Sequence, residues 1–131
     1  MEKIPASHID LVDGSKKSFA YLATVMADGS PQNTPVWFQY CGGSILINSA
    51  RGRTKEKNIC ERPSVAVLIP DPANPYRYVQ LRGRVVGITE EGAVEHIHQL
   101  SRFYVGHDYT LPEGQQRVIF NIEIERVDAH G

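Results

Sequence analysis

The chain has 131 residues, 41% of them hydrophobic and 22% charged, with a formal net charge of -1. That length suits one domain, 1–131, able to bury about two-thirds of its unfolded surface. The composition excludes wholesale disorder, and the near-neutral charge excludes nonspecific nucleic-acid binding, which needs a broadly basic surface. Any anion site must therefore be local. Cys41 and Cys60 have neither metal-ligand nor redox spacing and read as reduced thiols. The opening MEKIPASHIDLVDG lacks the apolar core of a signal peptide, and no apolar stretch is long enough to span a bilayer. These features lead us to expect a cytoplasmic protein with no membrane or nucleic-acid partner.

In chain order, a short helix is predicted from Ala6 or Ser7 to Asp13, ended by Gly14. Phe19–Met26 reads as a strand, Asp28-Gly29 as a tight turn, and Gln32–Tyr40 as the returning strand of a hairpin. Gly42-Gly43 turns into Ser44–Asn48, so three antiparallel strands in a row favour a meander. Ser49–Arg53 is a loop and Thr54–Glu61 a short helix closed by Arg62-Pro63. Val65–Ile69 is a buried strand, Asp71–Pro75 a loop, and Tyr76–Ile88 a long strand with Gly83 marking a bulge or bend. Glu90–Tyr104 places Val94, Ile97, Leu100 and Tyr104 at helical spacing. Arg117–Val127 alternates as a final strand, with Val118, Phe120, Ile122 and Ile124 on the face opposite Arg117. The predicted fold is α+β, mainly β: a six-stranded antiparallel split β-barrel with short flanking helices.

The stretch SARGRTKEKN crowds Arg51, Arg53, Lys55 and Lys57 into seven residues. With Thr54 as N-cap, Lys55 and Lys57 fall in the first helical turn, where the positive pole of the helix costs roughly 0.3–1 kcal/mol per cation. A bound anion reverses that sign, because free N–H groups, a hydroxyl and several cations can converge on one phosphate. A basic run is ordinarily a solvated patch; the placement at a helix start favours the anion site. In PQNTPVWFQY, Pro31 and Pro35 interrupt the ladder and free backbone groups of Val36 and Trp37 to meet the polar rim of a heteroaromatic ring. Read alone, that segment is an edge strand with core aromatics. Tyr76, Tyr78 and Gln80 share one strand face beside Arg82 and Arg84, suited to ring stacking, to a subunit interface or to ordinary packing. The histidines are scattered, none forms a metal motif, and no side chain stands out as a catalytic acid or base.

The blocks FAYLATVMADGSPQNTPVWFQY, INSARGRTKEKNICERPSVAVLI and DPANPYRYVQLRGRV together resemble the pyridoxamine 5'-phosphate oxidase-like superfamily. Within it the chain is most similar to the small split-barrel oxidoreductases that use coenzyme F420 or FMN. The resemblance implies hydride transfer to a small-molecule substrate by a homodimer with coenzyme sites at the subunit interface. It implies a phosphate on Arg53, Thr54 and Lys55, with Ser49 and Asn58 nearby, and a ring along Gln32, Asn33, Pro35, Val36 and Trp37. The partner chain would supply Tyr76, Arg77 and Tyr78. F420 leads, because Arg51 and Lys57 could meet its anionic tail; FMN in the same cleft and a flavin-binding or storage protein without turnover are the alternatives. The end ERVDAHG lacks the Arg-x-His segment of true pyridoxamine phosphate oxidases, which argues against vitamin interconversion.

Overall fold

The computed structural model describes residues 3–131. A 3-10 helix, Ala6–Leu11, leads into β1 (Ala20–Val25), β2 (Pro31–Val36), β3 (Gln39–Cys41) and β4 (Ser44–Ala50). Helix α1 (Thr54–Glu61) precedes β5 (Ser64–Asp71) and β6 (Asn74–Thr89), then α2 (Ala93–Val105) and β7 (Arg117–His130) close the chain. The strands form one seven-stranded sheet in the order β2-β1-β5-β6-β7-β4-β3, with every neighbouring pair antiparallel.

Seven strands rather than six arise because the predicted strand Gln32–Tyr40 breaks at Trp37 and Phe38. The break also overturns the meander, since β2 and β3 are consecutive in sequence yet occupy opposite edges of the sheet. Val36 and Gln39 are three Cα steps apart and so lie within about 11 Å of each other. The sheet must therefore curl until its edges meet at Trp37-Phe38, although no ladder joins them and the barrel is not closed. Pro35 still pairs with Tyr21 on this edge strand, and the β1–β2 ladder runs on to Val36.

Alternation fills the interior. Ile45 and Ile47 from β4, Val67 and Ile69 from β5, Val79 and Leu81 from β6, and Phe120, Ile122 and Ile124 from β7 are buried together. Each such side chain contributes about 1.5–3 kcal/mol relative to exposure. Gly83 sits at a register shift between β6 and β7, and a Cβ there would collide with the Glu123 carbonyl oxygen. The bend expected at that glycine is thus enforced by close backbone approach. The Asp71–Pro75 loop is shorter than expected, since β5 reaches Asp71 and β6 starts at Asn74. Helix α2 buries Ala93, His96, Ile97, Leu100 and Ser101, whereas Val94 is exposed, so the inward stripe lies one position round from the expected one. Among the described residues no helix is long and apolar enough to cross a membrane.

Candidate functional site

The break at Trp37 opens a cleft of about 290 Å³ against the start of α1 and the flank of α2. Its walls include Pro35, Val36 and Trp37, the cations Arg53, Lys55 and Arg117, and Phe19, Asn48, Ile97, Leu100 and Tyr109. Sheet register explains the third cation. Ala50, the last residue of β4, pairs with Arg117, the first of β7, and the Arg51 N–H donates to the Gln116 carbonyl at 2.9 Å. The basic loop that leaves β4 is therefore stitched to the strand start that carries Arg117.

Among the described residues no carboxylate lies within ion-pair distance of Arg53, Lys55 or Arg117. Burial first, then the charges of Arg53 and Arg117, hold the Lys55 ammonium below its ordinary pKa. Arg117 is almost wholly buried, and burial followed by Arg53 lowers its pKa too, against an opposing contribution from Tyr109. The Arg117 guanidinium lies 5.0 Å from the Tyr109 ring centroid, donates through Nε to Asn48 Oδ1 at 2.8 Å and through Nη1 to Gln115 Oε1 at 3.0 Å. Cations crowded into a partly desolvated cleft without a counter-charge are costly, and a bound anion offsets that cost.

The wall facing these cations is aromatic. Trp37 stacks on Tyr104 at 5.4 Å and 7°, Tyr104 stacks on Phe19 at 5.4 Å and 20°, and Phe103 meets Tyr104 edge-on at 5.0 Å. The Tyr104 hydroxyl donates to the Ser18 carbonyl at 2.6 Å, and burial pushes its pKa up to about 12. It stays a neutral buttress behind Trp37.

Of the residues singled out in the sequence, Pro35, Val36, Trp37, Arg53 and Lys55 share this cleft, and the others do not line it. Thr54 is not the N-cap: Arg53 holds that position without a side-chain cap, and Thr54 is the first helical residue. The helix start is not left to cations, because Glu56 accepts the Gly52 N–H and the Cys60 thiol, each at 2.8 Å. These two bonds, Cys60 first, keep the Glu56 carboxyl below its usual range. Arg51 is drawn to Glu56 at 3.5 Å and Glu90 at 3.4 Å, and Lys57 lies exposed on α1. Ser49 faces the core, where its hydroxyl finds no partner. Asn58 is buried and donates to Thr24 Oγ1 at 2.9 Å, and Thr24 in turn donates to Gln32 Oε1 at 2.8 Å, so these three pin α1 to the β1–β2 hairpin. Asn33 is exposed on the edge strand.

The segment assigned to a partner chain also divides. Arg77 is held by Asp10 and Asp71, Tyr78 stacks on His130 at 5.1 Å, and Tyr76 is 85% exposed. Sequence reasoning missed Arg117, Tyr109, Asn48 and Phe19. Arg117 stood on the polar side of an alternating strand, and nothing local to it signals a cleft.

Comparison with known proteins follows the same outline. The model of the pyridoxamine 5'-phosphate oxidase family matches residues 13–131. A solved structure named F420 reductase superposes with a TM-score of 0.85 at 31% identity, covering 95% of this chain and 98% of that one. A conserved hypothetical protein from Mycobacterium tuberculosis gives 0.73 at 23% identity, over 99% and 89% of the two chains. General Stress Protein 26 from Bacillus anthracis gives 0.69 at 19%, over 94% of each, and these last two show the fold alone. No curated protein matches the chain in sequence. The match over most of the chain, on an antiparallel sheet whose basic loop opens beside a broken edge strand, makes this protein a member of the pyridoxamine 5'-phosphate oxidase family.

Proposed function

We propose that the chain is an oxidoreductase that holds coenzyme F420 in this cleft and exchanges hydride between it and a small organic substrate. The observation that carries the reading is the set Arg53, Lys55 and Arg117, un-neutralised beside the freed strand end Pro35–Trp37. The fit is chemical: a phosphate supplies the missing counter-charge, and charge-assisted bonds to it are each worth about 1.5–3 kcal/mol. When bound, F420 supplies a two-electron hydride carrier in its ring. Arg53, Lys55 and Arg117 would anchor the phosphate end, Pro35–Trp37 would border the ring, and the stack of Trp37, Tyr104 and Phe19 would shield one side of it from water. The proton that a hydride acceptor also requires is not assigned to Tyr104, which is neutral and already donates to the Ser18 carbonyl. The preference for F420 draws support from the 31% identity to a protein named F420 reductase.

FMN is the second reading, favoured by one observation. Arg51 is engaged by Glu56 and Glu90 and Lys57 lies off the cleft, so one chain offers cations for a phosphate and few for a longer anionic tail. The cleft volume of about 290 Å³ sits at the bottom of the usual ligand range of about 300–1,000 Å³. A second copy completing the site would account for that shortfall, and the exposed rings of Tyr76, Phe19 and Tyr21 are candidates for the contact. Titration of the purified protein with F420 and FMN side by side tests the reading. Saturable F420 binding, tighter than FMN and followed by substrate-dependent reoxidation of the reduced coenzyme, is expected. Binding of neither coenzyme overturns it.

A further inference from the structure

Helix α2 places one histidine, His96, on its buried face, 6% exposed, directly behind the cationic wall of the cleft. Its Nε2 lies 3.1 Å from Gln39 Oε1 and its Nδ1 lies 3.1 Å from Asn48 Nδ2. Asn48 Nδ2 also donates to the Ala93 carbonyl at 2.8 Å, and Asn48 Oδ1 accepts Arg117 Nε at 2.8 Å.

Donor and acceptor rules leave one arrangement. Arginine only donates, so the Asn48 oxygen must face Arg117 and its amide nitrogen must face Ala93 and His96. His96 Nδ1 is then the acceptor, and Nε2 carries the hydrogen given to Gln39. We propose that His96, as its Nε2–H tautomer, is a positioning residue for the anion site. It locks the Asn48 amide with its oxygen toward Arg117, and so keeps that guanidinium in the cleft. The inference rests on the reading of the cleft as a phosphate site. Arg117 needs such a hold, because nearby Arg53 repels it and burial strips it of water. Burial and the Arg117 charge also keep His96 below its ordinary pKa, which favours the neutral ring that this role requires.

The test is a double-mutant cycle read by F420 and FMN titration. His96→Leu removes the acceptor and should weaken coenzyme binding about three- to tenfold, the worth of one buried hydrogen bond. In an Arg117→Met background the same change should have no further effect. His96→Asn, which returns an acceptor near the Nδ1 position, should restore affinity to within about twofold. Equal weakening by His96→Leu with and without Arg117 overturns the proposal. If His96→Leu does not fold, Asn48→Asp serves: its carboxylate should capture Arg117 and abolish the Arg117-dependent part of the affinity. Unchanged affinity in Asn48→Asp overturns the proposal as well. A separate pair, Arg53→Ala with Lys55→Ala, tells the two failures apart. Loss of binding there with an additive His96 cycle sinks only the positioning role, and full binding there sinks the cleft reading itself. Imidazole nitrogen-15 shifts of the wild type should report the Nε2–H form, and the Nδ1–H form contradicts the arrangement directly.

Discussion

The chain treats its cations around Arg77 and around Lys55 in opposite ways. Arg77 donates to Asp10 at 2.7 Å, to Asp71 at 3.0 Å and to the Ser7 carbonyl at 2.7 Å, with Lys16 joining both carboxylates at 3.8 Å. The Asp10 and Asp71 bonds raise the Arg77 pKa above the usual arginine value. In the cleft the shifts run the other way, with Lys55 and Arg117 held low by burial and like charge. One cluster is finished by its own fold and fastens the 3-10 helix to β5 and β6. The other has no carboxylate counter-charge among the described residues. The identity of a residue as Arg or Lys does not separate these roles, whereas its counter-charge does.

The largest effect expected from this contrast is on binding. Lys55→Ala alone should weaken the coenzyme about tenfold or more, and Arg53→Ala with Lys55→Ala about a hundredfold or more, for charge-assisted bonds of about 1.5–3 kcal/mol each. The melting temperature of the free protein should not fall with these changes, because they relieve repulsion. Isothermal titration and thermal unfolding on the same samples check both halves. Arg77→Ala should give the mirror image: a lower melting temperature, since the nearly buried Asp71 loses its 3.0 Å guanidinium and keeps only Lys16 and the Ala73 N–H, and an unchanged coenzyme affinity. Should Arg77→Ala weaken the coenzyme as much as Lys55→Ala, then Arg77 reaches a second copy's site and the contrast collapses.

The difference between the two clusters was hidden from the sequence for a physical reason. The hairpin turn at Asp28-Gly29, helix Thr54–Glu61 and the kink at Gly83 are set by residues within a few positions, and all were legible. Lys55 and Arg53 stood out for the same local reason. The partner of Arg77 is Asp10, 67 positions away, and Asn48 meets Arg117 across 69. Such pairings depend on which strands the whole sheet makes neighbours, and alternation within β7 reports its faces but not what lies over them. The break at Trp37 is of the same kind, because it follows from closure of the curl rather than from Trp37 itself. Glu56 was read past because its neighbours were basic, although its carboxylate is what makes the helix start tolerable.

Titration sharpens the contrast by a smaller amount. Burial and the charges of Arg53 and Arg117 hold the Lys55 ammonium below the ordinary lysine pKa in the free protein, so the charged form is disfavoured there and favoured once phosphate is bound. Affinity should therefore be full at pH values below the lowered Lys55 pKa and decline as pH rises through it, before ordinary lysines titrate. The stability of the free chain moves the other way, since loss of that proton removes repulsion from Arg53 and Arg117. Lys55→Arg should abolish the alkaline decline in affinity, because arginine stays charged. Coenzyme titrations at stepped pH on both proteins decide it, and a decline that persists in Lys55→Arg assigns it to another group.

The smallest effect concerns salt and the choice between coenzymes. A phosphate seated on the half-buried Lys55 and the buried Arg117 would be partly buried, so its contacts should respond weakly to ionic strength. The anionic tail of F420 would lie further out, where screening acts over about 8 Å at physiological salt. Any cation that meets the tail through solvent should make F420 affinity fall more steeply with salt than FMN affinity. Arg51 and Lys57 were the residues suited to that task by sequence. Arg51 is shared between Glu56 and Glu90, which leaves it little net field to offer, whereas Lys57, exposed on α1, has no ion pair among the described residues. Replacing both by Ala should accordingly change F420 affinity by no more than about twofold, the scale of an exposed charge contact. The F420 salt curve should keep most of its slope. If the double change instead flattens the F420 curve and leaves the FMN curve alone, these outer cations do read the tail. The counter-charges of Arg51 then fail to quench it, and the rule that separates the two clusters holds only for buried groups.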